Sequence, residues 1–200
     1  MILPFVATNC PLQLGDWWSA DTTRGITLDS TALGRIYFSK GDGGVSGSYK
    51  TNTERLIMIV KNASGTTLAR NMAVKFAVAA TGDFMQDISG LAGANERVAG
   101  IVEDGYTAGV PDGAYFRLVI EGEHYAQYHG SSDSQVATVP GEPLVCAGSG
   151  KVYGQDVAVA AGSATFGQVN GVLGFAAEVT LNDATSYDVY KKIYVKAYYI

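Results

Sequence analysis

VAGIVEDGYTAGVPDGAYFRLVIEGEHY (Val98–Tyr125) and VLGFAAEVTLNDATSYDVYKKIYVKAYY (Val172–Tyr199) align without a gap at an offset of 74 residues. Each opens on apolar-x-Gly-apolar, passes through a polar loop of Asp, Gly, Asn, Ser and Thr, and ends in an aromatic-rich strand. The shared identities are Val98/Val172, Gly100/Gly174 and Tyr125/Tyr199. Two copies of one small β unit point to a scaffold more than to a single catalytic cleft.

Working outward, Val139 to Cys146 (VPGEPLVC) stands before the second copy as Asn71 to Phe76 (NMAVKF) stands before the first. The repeat then extends over about 66–130 and 136–200, with Gly130 to Gln135 (GSSDSQ) as a flexible linker. Strands are expected near 98–103, 114–121, 152–159, 171–178 and 188–199, and over Met72 to Ala80. Pro111-Asp112-Gly113 is a strong turn, because Pro presets φ and Gly accepts φ > 0. Asp87 to Arg97 (DISGLAGANER) reads as a loop of small residues. At the C-terminus, Tyr190, Tyr194 and Tyr198 recur every four residues, a spacing that suits one face of a helix or of a strand. The β-branched Val189, Ile193 and Val195 favour the strand.

Upstream, Arg55 to Lys61 (RLIMIVK) is a continuous apolar run that fits a strand buried on both faces. Gly34 to Ser39 reads as a short strand closed by the Gly41-Asp42-Gly43-Gly44 turn. Residues 1–65 form an extended, turn-rich N-terminal arm with the first strands. Trp17 and Trp18 need somewhere to place two large rings. They either pack back on the chain or dock into a neighbouring subunit. No segment shows an amphipathic helix of three turns. The expected class is mainly β: two small related β modules, barrel- or sandwich-like, preceded by that arm.

Composition narrows the function. Of 200 residues, 47% are apolar but only 16% are charged, below the usual ~25%, while Gly (25) and Tyr (12) are abundant. Such a chain suits β-structure and contact surfaces. A net charge of −5 argues against nucleic acid as a direct partner, since phosphate contacts need clustered Lys and Arg. No stretch approaches the ~20 apolar residues of a membrane span, and the N-terminus lacks a basic secretory n-region. Cys10 and Cys146 do not form a metal-type spacing or a disulfide framework.

Candidate chemistry is sparse. His124 and His129 lie near Glu121, Glu123 and Asp133, but their spacing does not converge on a metal. They read as ordinary strand-end or loop histidines, with a pH response near the usual pKa of ~6.5 open to them. Gly148 to Lys151 (GSGK) lacks the first Gly and the final Ser or Thr of a phosphate loop, so it reads as a turn. Asn62-Ala63-Ser64 matches a glycosylation sequon but reads as turn chemistry. The carboxylates Glu103-Asp104, Glu121/Glu123 and Asp183/Asp188 lie in or beside turns and read as solvated. No catalytic residue, cofactor site or metal site is assigned.

The order Pro-Gly-Glu-Pro-Leu-Val (140–145), Gly-Val-Leu-Gly-Phe-Ala-Ala-Glu (171–178), a small polar loop, then Val-Tyr-Lys-Lys-Ile-Tyr-Val-Lys-Ala (189–197) resembles the β modules of tailed-phage capsid decoration (cement) proteins. Val-Ala-Gly-Ile-Val-Glu (98–103) to Phe-Arg-Leu-Val-Ile-Glu-Gly (116–122) resembles a second copy. The resemblance covers about residues 66–200. It implies a non-enzymatic virion protein, made in the host cytoplasm and carried on the capsid surface. Such a protein binds the major capsid protein, commonly as a homotrimer or other homo-oligomer, and strengthens the shell. The expected contact residues are Trp17, Trp18, Tyr190, Tyr194 and Tyr198. The alternative is a carbohydrate- or receptor-binding module of a phage tail or fibre. A β-sandwich hydrolase is a third reading and needs a catalytic acidic pair.

Overall fold

A computed structural model describes residues 32–39, 54–78, 85–94, 96–128, 139–154, 172–178 and 190–197. Trp17, Trp18, Tyr198, Cys10, His129, Asp133, Asp183, Asp188, the turn at 41–44 and the linker at 130–135 lie outside the described residues.

The chain is mainly β, with no α-helix among the described residues. Its strands are β1 (Ile36–Ser39), β2 (Arg55–Asn62), β3 (Ala73–Phe76), β4 (Asp87–Leu91) and β5 (Gly100–Val102). They continue as β6 (Tyr115–Gln127), β7 (Pro143–Gly148), β8 (Lys151–Gly154), β9 (Val172–Ala176) and β10 (Tyr190–Lys196). The order across the sheet is β1-β2-β4-β3-β5-β6-β10-β9-β7-β8, and β2 also pairs with β6. That extra pairing closes β2, β4, β3, β5 and β6 into a ring. On the other side of β6, the strands β10, β9, β7 and β8 curl back until Val152 bridges Tyr128, just past the end of β6. The molecule is two small barrels sharing one long strand.

A bulge lets one strand serve two barrels. On β2, Ile57 faces Val119 and Leu56 faces Glu121, so Ile120 has no partner there. One extra residue reverses which face each side chain takes. Before the bulge, Phe116, Leu118 and Ile120 fill the first barrel with Met58, Val60, Val74, Ile88 and Val102. After it, Ala126 and Tyr128 fill the second with Leu144, Cys146, Val152, Leu173, Ile193 and Val195. Gly122 follows the bulge at φ 111, where a Cβ would meet the Arg55 Cα at 2.9 Å, so only glycine lets β2 start this close. Ile57 to Val60 are all buried, as the apolar run in β2 predicts. Each such side chain stabilises the fold by roughly 1.5–3 kcal/mol.

The echo in sequence is an echo in topology. β4-β3-β5-β6 in the first barrel repeats as β8-β7-β9-β10 in the second, with every pairing antiparallel. Gly100 and Gly174 hold the same place. A Cβ on Gly100 would lie 2.5 Å from the Val119 carbonyl oxygen, and one on Gly174 would strike that of Tyr194. The ungapped alignment is corrected by one residue: Ile101 pairs with Val119 but Phe175 with Tyr194, which lies 75 residues beyond Val119. This register keeps Leu118/Ile193 and Ile120/Val195 inside their barrels.

Other expectations shift in length or kind. Of the expected strand over Met72 to Ala80, Ala73–Phe76 forms β3 and residues 79–80 lie outside the described residues, while β6 runs on to Gln127. Asp87 to Arg97 was expected as a loop, yet Asp87–Leu91 is β4. Backbone bonds hold it more than apolar pattern does: Lys61 N–H donates to the Gln86 carbonyl, Ala63 to Ile88 and Ala77 to Asp87. Only Ile88 in β4 is fully buried.

Candidate functional site

Two places stand out: a buried ionic cluster beside the bulge and an exposed aromatic pair on the second barrel. The cluster begins with Arg55 at the start of β2, where it opens an apolar run, and Arg117 in β6, where it interrupts one. Glu103, just after β5, lies between them. Arg117 Nε is 3.0 Å from Glu103 Oε2, and Arg55 Nη1 is 3.9 Å from Glu103 Oε1. Arg117 Nη2 donates to Ser39 Oγ at 2.7 Å, tying β1 to β6. Its backbone N–H donates to the Tyr106 hydroxyl at 2.8 Å, and that ring packs edge-on against Phe116 at 6.1 Å.

His124 completes the cluster. Arg55 Nη1 donates to its Nδ1 at 2.8 Å, which leaves the ring proton on Nε2. Burial, with the Arg55 charge adding to it, pushes His124 well below the usual histidine pKa. The pH response near 6.5 left open above does not belong to His124 in the folded protein, where its imidazole stays neutral. Glu103 and Asp104, expected in a solvated turn, are buried. Burial raises the Asp104 carboxyl, opposed by the Arg55 charge. An unpaired buried charge is costly, so charges inside a β core come in opposed sets.

Chemically, this cluster locks β1, β2, β5 and β6 together where the barrels diverge. Its imidazole and carboxylates are sealed from solvent and meet no substrate unless the sheet opens. Among the described residues, no group of three or more His, Cys, Asp or Glu could hold a metal ion.

The remaining sequence candidates resolve locally. Asn62 is buried, and its Nδ2 donates to the Thr66 and Val110 carbonyls at 2.8 and 3.0 Å. Its Oδ1 accepts from the Ser64 N–H and hydroxyl, so the sequon is turn chemistry. Gly148 pairs with Lys151 across the two-residue turn Ser149-Gly150, both with positive φ. The Cys146 thiol donates to the Ala92 carbonyl at 3.1 Å, and burial pushes its pKa up.

The exposed pair lies on the outer face of the second barrel. Tyr194 on β10 stands directly opposite Phe175 on β9, and they are 43% and 37% exposed. On the same strand, Lys192 pairs with Glu123 of β6 at 2.5 Å, and Lys196 stands opposite Glu121. Tyr190 is half-buried beneath the Arg70 guanidinium, 5.9 Å from its ring centre. The structure thus brings Tyr190 and Tyr194 to one face. Sequence reasoning missed Phe175, and it missed the Arg55–Glu103–Arg117–His124 cluster. Arg117, a lone charge inside the apolar run Tyr115 to Ile120, was the available signal for the cluster.

No protein-family model matches the chain, and no curated protein matches it. Among solved structures, the N base of head fiber gp8.5 in bacteriophage phi29 is similar at 14% sequence identity and a TM-score of 0.42. That likeness covers 70% of this chain and 93% of the other.

Proposed function

We propose that this chain is a non-enzymatic structural protein of a phage virion, which attaches to the outer surface of the head and adds contacts between capsid subunits. One observation carries the reading. The three sequence pieces that resemble decoration proteins fall on β7, β9 and β10, adjacent strands of one barrel, and the outer face of that barrel bears the exposed Phe175–Tyr194 pair. Residues that look unconnected in sequence form one surface.

The mechanism is mass action. A subunit that binds only the assembled lattice stabilises that lattice by its binding free energy. An interface of about 1,600 Å² suffices for specific attachment. Trp17 and Trp18 are the proposed anchors from the N-terminal arm, as buried aromatic residues are in many interfaces. An arm of this kind can also add a strand to an exposed sheet edge. Deleting residues 1–20 is expected to abolish attachment to purified heads while leaving the β-sheet circular dichroism intact. Full occupancy by the truncated chain would refute the role of the arm.

The exposed aromatic pair favours a second reading, a glycan-binding module of a tail or fibre, because sugar rings stack on such residues. A glycan array separates the two: the structural reading predicts silence, the receptor reading a signal lost in Tyr194→Ala.

A further inference from the structure

We propose that the tip of the β1–β2 pair is an acid-released latch: the tip hinges away from β6, Arg55 leaves His124, and the uncovered imidazole takes up a proton while both barrels stay folded. The bulge supplies the hinge. On its first-barrel side, Ile57 to Lys61 pair with Val119 to Tyr115, and Ile57 to Val60 are buried. On its other side β2 makes only two pairs with β6, Arg55 with Gly122 and Leu56 with Glu121, and Gly122 offers no side chain to pack on. Ser39 and Phe38 of β1 pair with those same two residues of β2. A bulge interrupts the ladder, so the tip can part there without breaking the pairs of the core.

Polar contacts hold the tip down. Arg117 Nη2 donates to Ser39 Oγ at 2.7 Å, and Arg55 Nη1 donates to His124 Nδ1 at 2.8 Å. Only the second depends on a group of the kind that titrates near neutral pH. An imidazolium carries a proton on both nitrogens and cannot accept. A protonated His124 in the closed state would therefore set two cations 2.8 Å apart in a buried site. Its surroundings do not absorb that charge. Glu103, just after β5, is already shared by Arg55 and Arg117. Asp104 faces Arg55, Arg70 and Arg117, and burial favours its neutral form. From β10, the residue opposite His124 is the apolar Ile193. Proton uptake and departure of Arg55 thus go together. β1 is the first described strand after Trp17 and Trp18, so the latch lies at the root of the segment proposed to anchor the chain. The inference does not rest on that reading, and its failure leaves it standing.

The test is amide hydrogen exchange of the full chain, read residue by residue by NMR at pH 7.5 and 5.5, a range set around ~6.5, with sub-denaturing urea as a second variable. Rates are expressed as protection, so the intrinsic pH dependence cancels. Tip amides, at residues 38–39 and 55–56, are expected to be less protected than those at 57–60 and 193–195. Their protection should be insensitive to urea, because a local opening exposes little surface. It should fall about tenfold from pH 7.5 to 5.5, because the opening takes up one proton. His124→Gln, which keeps an acceptor but does not titrate, is expected to abolish that fall. Ser39→Ala removes the other tie and is expected to loosen the tip at both pH values with the tenfold ratio kept, a readout that stands even if His124→Gln fails to fold. Tip amides that share the protection and urea dependence of the core would show that the tip opens only on global unfolding and overturn the proposal. So would a tip with no protection at pH 7.5, a tip with equal protection at the two pH values, or an acid response that survives His124→Gln.

Discussion

Ile101 and Val119 face each other across β5 and β6; Phe175 and Tyr194 do the same across β9 and β10. The first pair is sealed and the second is 37% and 43% exposed. Equivalent positions in a repeat thus carry different duties. In the first barrel the position is core, because the bulge at Ile120 turns the outer face of that barrel into the wall of the next. In the second barrel no described strand continues the pattern, and the position becomes surface. The lesson is that an internal repeat displays, in one copy, what the other copy is able to bury.

The largest expected effect tests what holds the first barrel to the bulge. Glu103→Ala leaves the Arg55 and Arg117 guanidiniums without their shared carboxylate in a buried site. It should cost about 3–5 kcal/mol in urea unfolding. A loss within experimental error would mean the cluster is solvated and the barrels are joined by apolar packing alone.

Next comes the comparison itself. Ile101→Ala should cost about 2–5 kcal/mol, as buried truncations do. Phe175→Ala, at the matching place, should cost less than about 1 kcal/mol in the monomer, the scale of an exposed cross-strand pair. Equal costs would contradict the assignment of one pair to core and the other to surface.

The glycines sharpen it further, since here the barrels should behave alike. Gly100→Ala and Gly174→Ala each force a methyl against the carbonyl of the neighbouring strand. Both should destabilise by about 1–3 kcal/mol. A tolerated alanine at only one of them would show that the two copies do not share a register.

The smallest effect is the titration of His124. Its folded pKa is depressed, so the unfolded chain binds a proton that the native state does not. Stability is then complete above the unfolded pKa of ~6.5. It falls below that value by at most about 1.4 kcal/mol per pH unit. Asp104, with its raised folded pKa, acts in the opposite sense at lower pH, above its unfolded value. Chemical denaturation between pH 7.5 and 5.5, a range chosen around ~6.5, should show this slope in the wild type and not in His124→Gln. An equal slope in both would place the proton elsewhere.

Much of the fold was legible in sequence for identifiable reasons. Arg55 to Lys61 has no polar alternation, so it had to be a strand covered on both faces, as β2 is. The β-branched Ile193 and Val195 decided β10 against a helix. β4 was not legible, because DISGLAGANER carries little apolar pattern and is strand only through its neighbours' hydrogen bonds. The shared strand was hidden for a similar reason. A one-residue bulge changes no composition, yet it redirects every side chain after it. The ionic cluster gathers charges from β2, from Glu103 just after β5 and from β6; an arginine in an apolar run signals that a partner is needed but not where along the chain it lies. Tyr194 was singled out by its spacing, but Phe175 became significant only when register placed it opposite.

The most direct test of the account is co-sedimentation of the purified chain with phage heads assembled from a major capsid protein of the same phage. The account predicts saturable binding at a fixed number of copies per head, and heads that withstand heating better once decorated. Failure to bind any head shell, by a chain shown to be folded and to turn over a small molecule, would contradict it.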